Sequence, residues 1–234
     1  MEKRETLVMN LPVIEQRPKV RSEVKSHYQL TKRILDIILC ILALPFLLPI
    51  GIIVALAIRI DSSGPVFFIQ DRVGRNGKIF KIIKFRTMHH NIDDRSHREF
   101  MKKYINGQMK GSENSNKTFK PFKENQITRV GRILRKTSLD ELPQLINVLK
   151  NEMSFVGPRP NVTWEVSEYT EWHTERLKAL PGITGLAQVR GRSQITFDEI
   201  VNHDLDYIEN QGLKLDLQIL WWTVASVLFS SGAE

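Results

Sequence analysis

Asp140 and Glu141 are adjacent carboxylates that follow a basic stretch, Arg129, Arg132, Arg135 and Lys136, and precede an apolar run opened by Pro143. Neighbouring carboxylates repel, so both persist ionised only where cations offset them, and beside a metal ion one of them can attack phosphorus. Chemistry at a phosphate group is what this arrangement suits. An acidic doublet also has a plainer origin, as a solvated surface or a helix start, and Asp93-Asp94 and Asp198-Glu199 are two more in the same chain. Ser138 and Glu141 fit a capping box, which would account for Glu141 with no chemistry at all.

The elements that must position these acids can be read around them. Leu142, Leu145, Ile146 and Leu149 recur at helical spacing and predict a short amphipathic helix over 143–150. Pro143 suits a first turn, so the helix begins at Leu139 or at Pro143, and in both cases the acids lie near its N-terminus. Downstream, Ser154 to Pro160 reads as a rigid turn presenting Arg159, and Trp164 to Leu180 as a helix with Val166, Tyr169, His173 and Leu177 on one face. Pro181-Gly182 stops it. Gly182, Gly185 and Gly191 follow with Arg190 and Arg192; such glycines let backbone approach a phosphate, and they equally make an ordinary loop. Upstream, Val66 to Ile69 and Ile79 to Phe85 flank a turn at Arg75-Asn76-Gly77-Lys78, which predicts a β-hairpin with a basic face suited to phospholipid head groups. Residues 91 to about 128 read as a helix and a long loop, with Gly107, Gly111 and the polar patch from Ser112 to Asn116. Leu215 to Phe229, with Trp221-Trp222, is a core helix or an interfacial one.

Ile37 to Ile58 carries no charged residue, and about 20 such residues suffice to cross a bilayer. A long polar stretch precedes it and no small-x-small cleavage site follows, which argues against a removed signal peptide. Pro45 and Pro49 each delete a helical hydrogen bond, predicting a kinked or broken helix. Lys25, Lys32 and Arg33 stand before the segment, and Arg59, Arg72, Arg75, Lys78, Lys81, Lys84 and Arg86 after it. Cations at both ends favour a re-entrant dip over a straight pass, though kinked spanning helices leave the second topology open. Asp36, at the entrance, suits a cap or a pair with Lys32 or Arg33. The chain therefore divides into a polar tail over 1–30, a re-entrant membrane helix over 31–60 and a catalytic body over 61–234.

The whole chain has 234 residues, 41% of them apolar, a formal charge of +8 and a pI near 9.6. That is enough apolar content for one ordinary core, and the charge points to polyanionic partners: anionic lipid, nucleic acid or phosphorylated substrates. No basic stripe with interleaved aromatics is present to stack bases, so no nucleic-acid partner is expected. Cys40 is the single cysteine and lies in the apolar run, as a small core hydrophobe. The fold class expected is mixed α/β, mainly helical, built on a proline-broken membrane helix and a small hairpin.

Four motifs occur in one order after the apolar segment: Lys84-Phe85-Arg86-Thr87-Met88, then Arg135 through Leu145, then Gly157-Pro158-Arg159-Pro160, then Pro181-Gly182-Ile183-Thr184-Gly185. From about residue 31 to the C-terminus the chain resembles the bacterial sugar transferases, monotopic polyprenyl-phosphate phosphoglycosyl transferases. The likeness is to their short catalytic form, expected without the multi-pass region that longer members carry in front. No motif position departs from the pattern.

The resemblance implies transfer of sugar-1-phosphate from a UDP-sugar to polyprenyl (undecaprenyl) phosphate, with release of UMP, at the cytoplasmic face of the bacterial inner membrane. It makes Asp140 the nucleophile, forming a phosphosugar ester, and has Glu141 assist the metal or the proton. It places Arg135, Arg159, Lys84 and Arg86 on substrate phosphate, and Gly157, Pro158, Pro160, Gly185 and Arg190 in the substrate loop. Mg2+ is implied near Asp140 and Glu141, with Asp216 as a further ligand. Anionic lipid is an expected partner, and surface polysaccharide assembly the expected setting. The residues alone leave two rivals, a membrane-tethered basic adaptor without chemistry and a metal-dependent phosphoesterase. The loop over about 105–128 and the residues after Gly182 are plausible sugar selectors.

Overall fold

The computed structural model describes residues 26–90, 94–108, 126–191 and 195–229. The polar tail up to residue 25, Gly111, the patch from Ser112 to Asn116 and Arg192 lie outside the described residues.

The uncharged run forms the middle of one helix, α1 (Ser26–Asp61), with Pro45 and Pro49 inside it, so of the kinked or broken helix expected the broken form is not what is found. Each proline withholds only its own N–H, and the flanking turns carry the helix across. Asp36, Cys40, Val54 and Ile58 are buried, and Leu47 packs beside Cys40. Intervals of three, four and seven residues put these side chains on one stripe. Much of the apolar surface of α1 away from that stripe is bare: Phe46 is 75% exposed and Ile60 86%.

Beneath that stripe lies an antiparallel hairpin, β1 (Phe67–Val73) and β2 (Ile79–Phe85), registered from Phe67 opposite Phe85 to Val73 opposite Ile79. Its turn is tight because Asn76 and Gly77 accept positive φ, 57° and 77°. Phe80 and Ile82 pack with Cys40, Leu145, Val148 and Met153, while Phe85 packs with Val54, Ile58 and Leu134. One strand therefore supports both ends of the apolar helix.

After α2 (Arg95–Ile105), the basic stretch proves to be a helix, α3 (Arg129–Thr137), that no apolar period had announced. Thr128 caps it, its hydroxyl accepting from Gly131 N at 2.9 Å. Ser138 ends α3 in the left-handed region, at φ 56°, and its side chain makes no cap bond. The capping box at Ser138 and Glu141 therefore does not form. A 3-10 turn over Leu139–Gln144 carries both acids into α4 (Leu145–Leu149). The doublet Asp198-Glu199 behaves in the opposite way. It opens α8 (Phe197–Glu209), where Thr196 and Glu199 form a true capping box, Thr196 N donating to Glu199 Oε2 at 2.6 Å.

Between these come β3 (Ser154–Val156), α5 (Thr163–Val166), α6 (Glu171–Thr174), β4 (Gly182–Thr184) and α7 (Leu186–Arg190), and α9 (Leu213–Phe229) closes the described chain. The single helix expected over 164–180 is divided. Thr170 is extended and donates its N–H to His173 Nδ1 at 3.3 Å, restarting the chain as α6 and a 3-10 turn. The largest apolar cluster joins Phe197, Val201, Leu205, Tyr207 and Ile208 of α8 to Ile219 of α9, with Leu220 against it. α9 has a core side and an open side: Ile219 is fully buried, while Leu217, Trp221 and Val224 are exposed.

β3 and β4 run parallel, Ser154 beside Gly182 and Val156 beside Thr184. The chain leaves both strands through glycine because backbone meets backbone there. A Cβ on Gly182 would lie 2.1 Å from Gly157 N, and one on Gly157 2.2 Å from Leu180 O. Gly182→Ala is expected to cost roughly 1–3 kcal/mol of stability through this overpacking. Tryptophan-detected denaturant unfolding of the detergent-solubilised protein measures it, with Gly77→Ala, at a turn position with open space around it, as a control for backbone strain alone.

Candidate active site

Three elements converge on the acidic pair. Lys84 projects from the face of β2 that also bears Ile82 and Phe80, Arg159 comes from the turn after β3, and Arg135 lies in the last turn of α3. Lys84 Nζ donates to Glu141 Oε1 at 2.8 Å, and Arg159 Nη1 reaches the same oxygen at 3.3 Å. Glu141 Oε2 has no hydrogen-bond partner among the described residues. The Asp140 carboxylate accepts no hydrogen bond among the described residues, although Lys84, Arg159 and Arg135 all act on it electrostatically.

The two acids are therefore driven apart. Burial raises the Glu141 pKa, but Arg159 and Lys84 outweigh it and hold the carboxyl at about 2. Asp140 moves the other way, lifted above the usual aspartate value by burial and by Glu141 against the pull of the same cations. Lys84 is lowered by burial and by Arg159, with Glu141 opposing. Glu141 is the counter-ion of the two cations, and Asp140 is the carboxylate left unbonded among the described residues.

Other residues singled out from sequence divide. Gly157, Pro158 and Pro160 are buried in the turn that presents Arg159, and Gly185 packs its α-carbon against Gly157 O. Arg190 is exposed at the end of α7. Arg86 is not aimed at the acids: its guanidinium donates to Ser62 O, Ser62 Oγ and Ser63 O at 2.8, 2.8 and 2.9 Å, clasping β2 to the end of α1. Asp216 belongs to a separate buried cluster, where Tyr28 and Lys32 donate to one of its oxygens and Tyr207 to the other, each at 2.8 Å. That is why it does not join Asp140 and Glu141, and no group of three or more His, Cys, Asp or Glu suited to a metal exists among the described residues. The pair alone still fits Mg2+, which takes one or two carboxylates and completes its shell with substrate phosphate and water. The open oxygens of Asp140 and Glu141 are donors of that kind.

Two arginines were not assigned to the site from sequence: Arg72, counted only among the cations flanking the apolar run, and Arg176. Arg72 lies on the same hairpin face as Lys84, opposite Phe80, and donates to Pro160 O at 3.0 Å. Burial and the neighbouring Arg159 lower its pKa to about 10. Strand alternation was the available signal, because it puts Arg72 two steps from an inward-facing position. Arg176 is buried with Asp204, one helical repeat beyond Tyr169 and His173, where a cation interrupts an apolar face.

A sequence profile described as bacterial sugar transferase matches residues 27–230. The chain is 42% identical over 213 residues to the galactosyl transferase CpsE of Streptococcus agalactiae, covering 90% of this chain and 45% of that protein. It is 39% identical over 204 residues to the exopolysaccharide production protein ExoY of Sinorhizobium fredii, covering 87% and 88%. It is 39% identical over 212 residues to the UDP-glucose:undecaprenyl-phosphate glucose-1-phosphate transferase of Caulobacter vibrioides, covering 87% and 72%. The chain thus spans less than half of the first relative and most of the other two.

Lys84 and Glu141 are mostly buried, with side chains 14% and 18% exposed. Removing the acid alone strands a cation, so Glu141→Ala is expected to cost about 2–4 kcal/mol, while the double change Lys84→Met with Glu141→Leu costs less than the single one. Denaturant unfolding of the solubilised variants orders them.

Proposed function

We propose, from the premise that this chain belongs to the bacterial sugar transferase family, that it moves sugar-1-phosphate from a UDP-sugar onto polyprenyl phosphate. The observation that carries this reading is the unpartnered Asp140 carboxylate beside cations that Glu141 keeps in place. An Asp140 oxygen attacks the phosphorus next to the sugar, the bond from that phosphorus to the bridging oxygen breaks, and UMP leaves with the bridging oxygen. The product is an aspartyl phosphosugar ester. An oxygen of the lipid phosphate then attacks the same phosphorus and expels Asp140 as carboxylate, giving the polyprenyl diphosphosugar. Lys84, Arg135 and Arg159 bind the phosphate oxygens, on which most of the charge is carried through transfer. Mg2+, held by Asp140 and Glu141, would supply further charge neutralisation at the diphosphate.

Membrane attachment follows the same reading. α1 is long and apolar enough to enter a bilayer, and β2 shares one cluster with Cys40 and another with Val54 and Ile58, which supports a monotopic arrangement with the body on one face. Leu139 and Leu142, on either side of the acids, pack in the cluster of Val54 and Ile58, so the nucleophile lies close to the membrane helix. The open apolar face of α9, with Trp221 69% exposed, suits the interfacial zone, and the flanking cations suit anionic lipid at the cytoplasmic face of a bacterial inner membrane. A lipid phosphate and a soluble sugar nucleotide can meet only at such a boundary. Surface polysaccharide assembly is the setting that the name of the exopolysaccharide relative supports.

The test is product analysis in membranes supplied with Mg2+, undecaprenyl phosphate and UDP-galactose or UDP-glucose. UMP formed in step with lipid-linked sugar supports transfer, whereas sugar phosphate released into water points to hydrolysis. Asp140→Asn should lower turnover at least about 10³-fold and abolish labelling by the donor phosphate, with membrane attachment retained; wild-type turnover in that variant would sink the assignment. Asp140 must be ionised to attack, so the rate should fall on acidification through a midpoint above the ordinary aspartate value. Arg135→Gln removes a cation that holds this pKa down, and the acid limb of its pH–rate profile should move to higher pH.

A further inference from the structure

The turn that carries Arg159 is held by its backbone. Its neighbours Pro158 and Pro160 have no N–H to donate, so four successive carbonyls are its points of attachment, the first being Pro158 O, which accepts from Gly182 N at 2.9 Å. Arg176 Nη2 donates to Arg159 O at 3.2 Å, Arg72 Nη1 to Pro160 O at 3.0 Å, and Val73 N to Asn161 O at 2.9 Å. The two side-chain donors reach the turn from different elements, the 3-10 turn before β4 and the strand β1.

Arg176 is committed to this position in every direction it can donate. Its Nε bonds Asp204 Oδ2 at 2.8 Å, its Nη1 bonds Asn161 Oδ1 at 2.6 Å and the Tyr169 hydroxyl at 2.7 Å, and its Nη2 is shared between Asp204 and Arg159 O. A guanidinium has five N–H donors in a fixed fork, and five acceptor contacts are present. Arg176 is 3% exposed and Asp204 1%, so the pair forms a fixed post inside the fold. The Arg159 side chain, half exposed, runs from this anchored backbone to Glu141.

We propose that Arg176, anchored on Asp204, and Arg72 are positioning residues that set the Arg159 guanidinium against Glu141 for capture of the donor diphosphate. The inference rests on the site reading above. Neither residue contacts the phosphate; each acts through a carbonyl of the turn. Lysine at either position keeps the charge and loses the fork, so the turn is released while the buried countercharge stays matched.

The experiment compares Arg176→Lys, Arg72→Lys and Arg159→Ala, singly and paired, in the full chain in native membranes. UMP release is followed with whichever of UDP-galactose and UDP-glucose the wild type turns over. Each lysine change should raise the KM for the donor and lower kcat/KM by about 10- to 50-fold, the scale of a misplacement of about an ångström. In the Arg159→Ala background the same change should cost less than about twofold, because its route to the substrate is gone. A purely structural role would multiply the two losses in full, and that result would overturn the inference. Should Arg176→Lys fail to accumulate as folded protein, the Arg72→Lys cycle decides alone, by the same criterion. Arg159→Ala at the wild-type rate would strike the site reading itself and take this inference with it; a defective Arg159→Ala with multiplied losses would remove only the positioning role.

Discussion

A single carboxylate oxygen, Glu141 Oε1, holds two cations that the chain delivers from far-apart elements, Lys84 from the hairpin and Arg159 from the turn after β3. Without an acid there, two positive side chains would face each other in a mostly buried site, at a cost that burial makes several-fold larger than in water. With it, the cations are in place before any phosphate arrives. In the transfer proposed above, one acid could not both neutralise these cations and attack a phosphorus. The doublet solves this by division: the member that takes the hydrogen bonds is driven far down in pKa, and its neighbour remains unbonded and more basic. A more basic carboxylate is the better nucleophile while it stays ionised, and the three surrounding cations keep its rise in check.

The framework around this pair is built to keep distances short. Gly157, Gly182 and Gly185 bring β3, β4 and the arginine turn into backbone contact that no side chain would permit. Arg176 and Asp204 hold the turn from the other side, and Tyr207 ties Val156 O to the cluster of Tyr28, Lys32 and Asp216. Asp36 at the start of the apolar stripe accepts from Phe155 N at 3.3 Å. Polar groups of α1 thus reach β3 directly, two residues before the glycine that opens the turn. Asp216, which sequence likeness placed on the metal, does its work here, joining the start of α1 to the body.

Much of this was legible, and what was missed has physical causes. The hairpin was visible because its turn residues and alternation are local signals, and the apolar helix because its composition is extreme. The continuation through Pro45 and Pro49 was not, since a proline's effect depends on whether neighbouring turns can absorb one lost bond each. α3 was hidden because its exposed face is basic and only Leu134 and Gly131 are buried, too few for a period. The helix expected over 164–180 was wrong for a related reason: the apolar spacing was real, but His173 takes a backbone N–H and breaks the ladder. Arg86 and Asp216 show the limit of reading roles from motif position. Both stand in or near recognisable motifs, and both are spent on tertiary clasps that only three dimensions reveal.

The two acidic doublets that look alike in sequence finish as different objects, and the difference lies in what precedes them. Thr196 is extended, so its N–H and hydroxyl face Glu199, and that acid is consumed by capping α8. Ser138 is left-handed because it must end α3 before the chain turns into the segment bearing Asp140, and a residue in that conformation cannot cap the next turn. The carboxylates after it have no backbone donor to claim them and turn instead to the cations. Leu139 and Leu142, packing beside Val54 and Ile58, then pin the same segment to the apolar helix α1. A left-handed serine and two flanking leucines thus convert what would be a helix cap into a pair of acids beside the apolar helix, one held by cations and the other left to the proposed chemistry.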